Sequence, residues 1–309
     1  MSASLAGRVA LVTGGGRGIG RAIAEALHAE GAAVVIADNG TSIDGTGADA
    51  SVAQSVANAL GERALAYAES IASPSAAQAA VELAVRRLGG LDIVVNAAAI
   101  LRDAFIFKLD PQNWDAVLRT NLSAAFHVLA AATPVMREQA KANRGGSPYA
   151  WGRIVNIVST AGLYGNYGQA AYASAKAGLV GLTRVVALDM ARTGVTANAV
   201  APFAATRVTE TIKPANAAQA TYKERALKVP ARAVGELVTW LAGPEAKDVT
   251  GQLFGVRGRE IFLFSQPRPV ARLVNPGPDS LSAVIARELK PHFVGPETDL
   301  EAFSTEPIL

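Results

Sequence analysis

The chain has 309 residues, of which 50% are hydrophobic and 18% charged, and its 29 basic and 26 acidic residues give a net charge of +3. This small excess of scattered cations argues against a nucleic-acid-binding surface. The absence of cysteine excludes disulfides and thiolate metal sites, and three widely separated histidines argue against a histidine metal site. We find no signal-peptide pattern and no apolar run of about 18 residues, so we expect a cytoplasmic protein without a membrane partner.

Short apolar runs alternate with longer helical patterns over most of the chain. The apolar runs predict strands at Val9–Thr13, Ala33–Asp38, Ala64–Glu69, Leu91–Asn96, Arg153–Ser159, Val195–Ala201 and Leu253–Val256. The helical patterns fall between them, at Ile19–Glu30, Asp49–Leu60, Ser75–Leu88, Asn113–Lys141, Ala170–Thr193 and Ala231–Ala242. Continuously apolar strands separated by helices predict a parallel sheet covered on both faces, which is the doubly wound, Rossmann-type α/β fold.

The C-terminal part of the chain has a different composition. Residues 1–258 are predicted to form one dinucleotide-binding catalytic domain, and residues 259–309 contain seven of the 15 prolines. This proline content predicts a mostly irregular extension with one helix at Ser280–Leu289. We expect the extension to pack on the main domain or on a neighbouring subunit.

A glycine-rich segment, Thr13–Gly20 (TGGGRGIG), connects the first predicted strand to the first predicted helix. Glycines permit a tight turn and a close approach of the backbone to a pyrophosphate, and the helix N-terminus offers free N–H groups with a positive dipole end. A strand, a glycine turn and a helix in this order indicate a dinucleotide-binding loop. The predicted cofactor contacts in it are Gly14, Arg17, Gly18, Ile19 and Gly20.

Asp38 ends the second predicted strand, where a carboxylate accepts hydrogen bonds from the two ribose hydroxyls of NAD in dinucleotide-binding folds. The same negative charge repels the 2′-phosphate of NADP. Arg17 is a cation in the glycine loop that could contact such a phosphate, and this leaves NADP open. We favour NAD as the cofactor because Asp38 is better placed and no basic residue follows it.

A serine, a tyrosine and a lysine form a second candidate site. Ser159 ends the fifth predicted strand, at the carboxyl edge of the sheet, and Tyr172 and Lys176 share one face of the following helix. A tyrosine hydroxyl titrates at about pH 10, and a neighbouring ammonium group lowers its pKa. The pair alone is also typical of an exposed tyrosine beside a solvated lysine. Together with Ser159 and the glycine loop, however, it indicates proton transfer to or from an alcohol or ketone oxygen.

These motifs resemble the classical short-chain dehydrogenase/reductase family. The resemblance rests on TGGGRGIG, Asn121, Ser159 and YASAK at residues 172–176, and it covers about residues 5–258. It implies hydride transfer between nicotinamide C4 and a carbinol carbon, with Tyr172 as the general acid/base. Lys176 would lower the pKa of that tyrosine and bind the nicotinamide ribose. Ser159 would stabilise the substrate oxygen, and Asn121 would position a water in a proton relay.

The resemblance implies further cofactor contacts at Glu69, Asn96 and Thr206. Three residues depart from the family pattern. Ala97 and Ala99 replace the second asparagine and the glycine of Asn-Asn-Ala-Gly, and Phe203 replaces the glycine that follows Pro202. None of these changes affects the four residues to which the family pattern gives catalytic roles.

Several stretches are similar to the (3R)-hydroxyacyl-CoA dehydrogenase domains of peroxisomal multifunctional enzymes and to single-domain bacterial relatives. They are DNGTSIDGTG at 38–47, ILRDAF at 100–105, LYGNYGQAAYASAK at 163–176 and RVTETI at 207–212. The similarity implies an acyl-CoA thioester as substrate in a β-oxidation-type step. It also implies pairing through the two long helices Asn113–Lys141 and Ala170–Thr193, so we expect a homodimer or a homotetramer.

Other functions stay open on the sequence alone. A hydroxysteroid dehydrogenase would share the same catalytic set, and so would an NADPH-dependent 3-oxoacyl carrier-protein reductase, although Asp38 argues against the latter. The non-enzyme alternative is a catalytically silent dinucleotide-binding protein on the same fold. The intact set of Asn121, Ser159, Tyr172 and Lys176 argues against a catalytically silent protein.

Overall fold

The structure is a computed structural model, and it describes residues 4–211, 214, 217–274, 277 and 280–309. Ile212, which ends one of the stretches quoted above, lies outside these residues. The same holds for two of the C-terminal prolines, Pro276 and Pro278.

Within the described residues, eight strands form one sheet in the order β3-β2-β1-β4-β5-β6-β7-β8. They are β1 Val9–Thr13, β2 Ala33–Ala37, β3 Ala64–Tyr67, β4 Ile93–Asn96, β5 Arg153–Ile157, β6 Thr196–Phe203, β7 Leu253–Arg257 and β8 Glu260–Leu263. Neighbouring strands from β3 to β7 pair in parallel, and β8 pairs antiparallel with β7. The predicted doubly wound fold is therefore confirmed, with its change of strand order between β1 and β4.

Helices cover both faces of the sheet. They are α1 Gly18–Ala29, α2 Ser51–Leu60, α3 Pro74–Leu88, α4 Pro111–Leu118, α5 Ala124–Lys141, α6 Ala161–Tyr164, α7 Ala170–Asp189, α8 Arg207–Thr211, α9 Ala217–Ala226, α10 Arg232–Ala242, α11 Leu281–Glu288 and α12 Asp299–Ala302. Successive strand side chains point to opposite faces. Accordingly, Val12 joins the apolar core under α1, α2 and α10, whereas Leu11 joins the core under α3, α5 and α7. Burial of both faces holds the carboxyl edge of the strands in a fixed position.

Several elements differ from the sequence-based predictions, among them the short helices α6, α8, α9 and α12, which were not predicted. The single helix predicted at Asn113–Lys141 begins earlier and is interrupted, because a π-helical turn at Arg119–Ser123 separates α4 from α5. The strand β8 was not predicted. Its side chains alternate between partly buried and exposed positions, and its last three residues belong to an apolar run at 261–264 that was not interpreted as a strand.

The C-terminal segment contacts the far edge of the sheet in its own chain. The backbone N–H of Arg259 donates to the carbonyl of Ile308 at 2.8 Å. The buried guanidinium of Arg257 in β7 donates to the carbonyls of Phe303 and Thr305, both at 3.0 Å. These bonds place α12 and the residues after it beside β7 and β8. The division of the chain at residue 258 into domain and extension stays a prediction.

Candidate functional site

A cavity of about 430 Å³ opens at the carboxyl edge of the sheet. Ligands bind in such folds where the strand order changes, and here that point lies between β1 and β4. Ten of the predicted site residues line the cavity: Gly14, Arg17, Gly18, Ile19, Gly20, Asp38, Glu69, Tyr172, Lys176 and Thr206. The two predicted sites, which are more than 130 residues apart in sequence, therefore share one cavity.

The glycine loop fits a pyrophosphate. Gly14 has a φ of +65°, and a Cβ built on it would lie 2.8 Å from the Cα of Ala98. A Cβ on Gly20 would overlap the carbonyl oxygen of Gly14. Helix α1 begins at Gly18, and no side chain caps its N-terminus. Its first N–H groups are therefore available to an anionic ligand, as a nicotinamide dinucleotide requires.

Asp38 directly follows β2 and is fixed by backbone groups. Its carboxylate accepts hydrogen bonds from the N–H of Gly16 at 2.9 Å and from the N–H of Gly40 at 2.8 Å. An ionised carboxylate offers about four acceptor positions, so two remain for ribose hydroxyls. Arg17 is engaged elsewhere, since its Nη1 donates to the carbonyls of Gly40 and Thr41 at 3.3 and 3.0 Å.

The segment after β4 is braced by Thr13. Its N–H groups at Ala97 and Ala98 donate to the hydroxyl of Thr13 at 3.1 and 3.2 Å. Thr13 thus connects this wall of the cavity to β1, next to the position where the usual second asparagine is replaced by Ala97. On the other walls, Glu69 is exposed beyond the end of β3, and Thr206 precedes α8.

Asn96 lies at the end of β4 and is not in the cavity wall. Its side chain is 4% exposed, and its Nδ2 donates to Oδ1 of Asn156 at 2.9 Å. Asn156 in turn donates to the hydroxyl of Thr183 on α7 at 2.8 Å. The structure therefore shows Asn96 connecting β4 to β5 and α7, and its role as a cofactor contact stays a prediction.

Asn121 occupies the π-helical turn, and its side chain is 1% exposed. Its Oδ1 accepts from the N–H of Ile100 at 2.8 Å, and its Nδ2 donates to the carbonyl of Ile100 at 2.9 Å. Isolated π-helical turns inside α-helices occur frequently at functional sites. The paired amide holds the segment after β4, and with it one wall of the cavity, against the helix.

Tyr172 lies on the first turn of α7, in the cavity wall, and its hydroxyl is hydrogen-bonded to Ser159. Burial raises the pKa of Tyr172 to about 12, and the nearby carboxylates of Asp103 and Asp299 act in the same direction. The hydrogen bond to Ser159 opposes this rise. Burial thus outweighs the lowering of the pKa that the sequence led us to expect.

Lys176 lies one turn further along α7, below the tyrosine ring. Its Nζ is 5.6 Å from the centroid of the Tyr172 ring and donates to the carbonyl of Ile157 at 2.7 Å. The side chain is 2% exposed, and this burial lowers the pKa of Lys176 to about 8. Burial therefore shifts the pKa values of this hydroxyl and this amine apart, because in each group it disfavours the charged form.

The sequence analysis missed the contact of the C-terminal segment with this site. The carboxylate of Asp299, at the start of α12, accepts a hydrogen bond from the hydroxyl of Thr160 at 2.8 Å. Thr160 directly follows Ser159. These two partners are 139 residues apart, and no local pattern marks either of them.

The described parts of the chain contain neither a membrane-spanning helix nor a cluster of metal ligands. No described helix is both long enough and apolar enough to cross a membrane. The same residues contain no group of three histidine, aspartate or glutamate side chains arranged to hold a metal ion.

Comparisons with known proteins agree with this geometry. A family model described as short chain dehydrogenase matches residues 8–220. The hydroxyacyl-CoA dehydrogenase ChsB1 of Mycobacterium tuberculosis is 36% identical over 98% of this chain and 93% of its own length. A 3-oxoacyl-[acyl-carrier-protein] reductase of Vibrio cholerae, FabG, is 37% identical over 82% of this chain and 98% of its own.

Two further similarities confirm the predicted resemblance. The mouse (Mus musculus) peroxisomal multifunctional enzyme type 2 is 36% identical over 81% of this chain, which corresponds to 31% of that enzyme. The crystal structure of a short chain dehydrogenase from Mycobacterium avium superposes with a TM-score of 0.79 at 35% identity, over 96% of this chain and 98% of the other. The chain therefore belongs to the short-chain dehydrogenase family, as an oxidoreductase that acts on CH–OH groups with a nicotinamide dinucleotide.

Proposed function

We propose that this protein is an NAD-dependent dehydrogenase that interconverts 3-hydroxyacyl-CoA and 3-oxoacyl-CoA in a β-oxidation-type sequence. The observation that carries the proposal is the hydrogen-bonded pair of Ser159 and Tyr172 above the buried amine of Lys176, next to a cavity lined by the glycine loop. This arrangement supports removal of a proton from an alcohol beside a hydride acceptor.

The cofactor side of the proposal rests on the glycine loop and Asp38. The loop and the N-terminus of α1 would bind the pyrophosphate, and Asp38 would bind the adenosine ribose. Glu69 and Thr206 would contact the adenine and the carboxamide from the cavity wall. Bound NAD supplies a hydride acceptor at its nicotinamide C4. The carboxylate of Asp38 would repel the 2′-phosphate of NADP, and Arg17 already donates to the carbonyls of Gly40 and Thr41, which supports NAD over NADP.

The proton side of the proposal rests on Tyr172. Oxidation of the alcohol removes a hydride from the carbinol carbon and a proton from its oxygen. We assign this proton to Oη of Tyr172 in its phenolate form, which requires the hydroxyl to lose its own proton first because burial raises its pKa to about 12. The hydroxyl of Ser159 would donate to the substrate oxygen and hold it beside the tyrosine. A protonated Lys176 would stabilise the phenolate form of Tyr172, since opposite charges attract strongly where water is excluded.

Asn121 has a positioning role in this proposal. It fixes the backbone of Ile100 and thereby the wall of the cavity after β4. The relay water that the family pattern assigns to Asn121 would be held from the π-helical turn in which it lies.

The extent of the similarities supports the acyl-CoA substrate. The similarity to the hydroxyacyl-CoA dehydrogenase runs through 98% of the chain, whereas the similarity to the 3-oxoacyl reductase covers 82% of it. The former extends over nearly all of this chain, including most of its C-terminal segment, and that segment touches the site through Asp299.

A steady-state screen tests the proposal directly. It measures kcat/KM for 3-hydroxyacyl-CoA, 3-hydroxysteroids and 3-oxoacyl carrier protein with NAD(H) and with NADP(H). We expect the highest kcat/KM for 3-hydroxyacyl-CoA with NAD. A higher value for a steroid, or for the carrier-protein substrate with NADPH, would overturn the proposal in favour of that alternative.

The proposal includes a homodimer or a homotetramer. Phe126 on α5 and Val185 and Leu188 on α7 are 52%, 53% and 78% exposed, so these two helices present large apolar side chains to solvent. Pairing of such helices across a two-fold axis would bury them. Light scattering should give at least twice the 31.8 kDa of one chain. A monomer mass at every concentration would contradict the proposed assembly. A cytoplasmic location stays a prediction from the sequence.

A further inference from the structure

The loop that follows β2 crosses the crevice at the carboxyl edge of the sheet. Residues 39–47 leave the sheet after Asp38, and β1 lies between β2 and β4 in the strand order. The N–H of Leu101, in the segment after β4, donates to the carbonyl of Ile43 at 2.9 Å. Loop 39–47 therefore spans the end of β1, where the glycine loop begins. Four of its residues line the cavity: Thr41, Ser42, Ile43 and Gly45.

Arg102 fastens the tip of this loop. Its Nε donates to the carbonyl of Asp44 at 2.8 Å, and its Nη1 donates to Oδ1 of Asn113 on α4 at 3.0 Å. The side chain is partly buried and itself lines the cavity. One guanidinium group thus joins the loop to a helix of the domain.

Other contacts support the loop at its base and at its tip. At the base, Arg17 donates to the carbonyls of two loop residues at 3.3 and 3.0 Å. At the tip, a Cβ built on Gly45 would lie 3.0 Å from Cδ1 of Ile100, so the loop backbone packs closely on that side chain. Asn121 holds the backbone of Ile100 from the π-helical turn. The tip of the loop therefore rests on the wall that Asn121 fixes.

We infer that loop 39–47 covers the adenosine half of the bound dinucleotide and that Arg102 is the positioning residue that keeps it in place. The inference rests on the proposed binding of the adenosine ribose by Asp38, the residue that directly precedes the loop. It does not depend on the acyl-CoA substrate or on the choice between NAD and NADP. Because the adenosine leaves only after the loop moves aside, the bonds of Arg102 slow the release of the cofactor.

Release rates test this inference. The probe is NADH or NADPH, whichever the unmodified enzyme binds more tightly, and its displacement is followed by stopped-flow fluorescence. Arg102→Met removes both bonds and should speed release at least tenfold, as expected for loss of a hydrogen bond from a charged group. The control Arg87→Met, at an exposed position of α3 outside the cavity, should stay within twofold. Release within twofold of the unmodified rate in folded Arg102→Met would overturn the inference.

A lysine variant separates the bridge from simple attraction of the cofactor phosphates by a positive charge. Arg102→Lys keeps the charge, but a compact ammonium group lacks the planar fork that reaches both Asp44 and Asn113. We expect its release rate to stay at least fivefold above that of the unmodified enzyme. A rate restored by lysine would overturn the inference, because the charge alone would then hold the cofactor.

A double-mutant cycle tests the bond to α4. Asn113→Ala should speed release less than Arg102→Met does, and the double variant should release no faster than Arg102→Met alone, since residues that act through one contact are not additive. Additive effects would overturn the bridge.

A cofactor fragment tests which half the loop covers. ADP-ribose, or its 2′-phosphate if the enzyme prefers NADPH, lacks the nicotinamide, and its binding is measured by calorimetry. Arg102→Met should weaken this fragment by the same factor as the whole cofactor. If only the whole cofactor is weakened, the loop does not cover the adenosine half. A preference for NADPH or a failure to oxidise hydroxyacyl-CoA would contradict the proposed function and leave these binding results decisive.

Discussion

The two edges of the sheet use buried charge in opposite ways. At the amino edge, Asp92 is fully buried, and its carboxylate accepts from the N–H of Val9, from Gln139 and, through both oxygens, from Arg144. At the carboxyl edge, the buried amine of Lys176 donates to a carbonyl, and the described part of the chain supplies no carboxylate at ion-pair distance. The first arrangement stabilises the fold, whereas the second leaves a poorly solvated cation under a tyrosine.

This difference indicates that the carboxyl edge of the sheet is the functional edge. Buried charges are tolerated when paired and hydrogen-bonded, as at Asp92. A buried amine without a counter-ion has a lowered pKa, as Lys176 does, and such shifts cluster at functional sites. Changes at the carboxyl edge should therefore alter turnover more than stability, and changes at the amino edge should do the reverse.

The largest effect is expected from Tyr172→Phe. It removes the hydroxyl that we assign to proton transfer and leaves the ring, so the fold and NAD binding should persist. We expect kcat to fall by roughly 10²- to 10⁴-fold, the range for a positioned general acid/base. Steady-state kinetics with the best hydroxyacyl substrate measures this, together with thermal melting and NAD titration. The control is Tyr167→Phe, on a side chain that is 75% exposed. Near-normal turnover by folded Tyr172→Phe would contradict the assignment.

Asp92→Asn tests the other edge. The change keeps the shape of the side chain but leaves Arg144 without its anionic partner, so we expect the free energy of unfolding to fall by about 3 kcal/mol. The loss lies at the low end for a buried pair because the side chain of Arg144 is 24% exposed and regains water. Urea unfolding measures it, and kcat of the folded enzyme should stay within twofold.

A surface ion pair provides the control for Asp92. Glu138→Gln breaks the ion pair with Lys141. Because the side chains of Glu138 and Lys141 are 71% and 67% exposed, the free energy of unfolding should change by less than about 0.5 kcal/mol. A strong loss of kcat in folded Asp92→Asn would contradict the claim that changes at the amino edge alter stability more than turnover.

The pKa of Lys176 makes stability depend on pH. Burial lowers this pKa from 10.5 in the unfolded chain to about 8, so between these values the unfolded state binds more protons. Stability from this group therefore rises as pH increases above 8. We expect Lys176→Met to flatten this rise between pH 7.5 and 9.5, by up to about 2 kcal/mol. Urea unfolding at several pH values tests this, with the exposed Lys247→Met as control. If the free energy of unfolding keeps the same pH dependence in Lys176→Met, the buried charge of Lys176 does not destabilise the fold.

Much of the fold was predictable because local patterns encode it. The strands from β1 to β7 are short, largely apolar runs, and the glycine loop contains two positions, Gly14 and Gly20, where a Cβ would collide with backbone atoms. Tyr172 and Lys176 were predictable together because a helix brings residues four positions apart to one face. The cavity that joins them to the glycine loop then follows from the parallel sheet, whose strands all end at one edge.

Other features depend on contacts that no local pattern encodes. The raised pKa of Tyr172 follows from tertiary burial and from the carboxylates of Asp103 and Asp299, which no local sequence pattern places beside the tyrosine. The pairing of Asn121 with Ile100 depends on how a π-helical turn packs against a loop. The contact between Asp299 and Thr160 joins segments far apart in sequence. The strand β8, by contrast, has an apolar run at 261–263, which the sequence analysis overlooked.

The smallest effect is expected at Asp38, whose carboxylate is held at the carboxyl edge by hydrogen bonds from two backbone N–H groups. The N–H groups of Gly16 and Gly40 donate to different oxygens of Asp38, so Asp38→Asn keeps only one of these two bonds. It also removes the negative charge, so repulsion of a 2′-phosphate should disappear. We expect the ratio of kcat/KM with NAD to that with NADP to fall about tenfold, which corresponds to about 1.4 kcal/mol. Glu69→Gln makes the same change of charge on another wall of the cavity and should alter the ratio less than twofold. If the unmodified enzyme turns over NADP as well as NAD, the cofactor assignment is wrong. If Asp38→Asn and Glu69→Gln shift the ratio equally, the preference arises from the net charge of the cavity and not from the position of Asp38 at the end of β2.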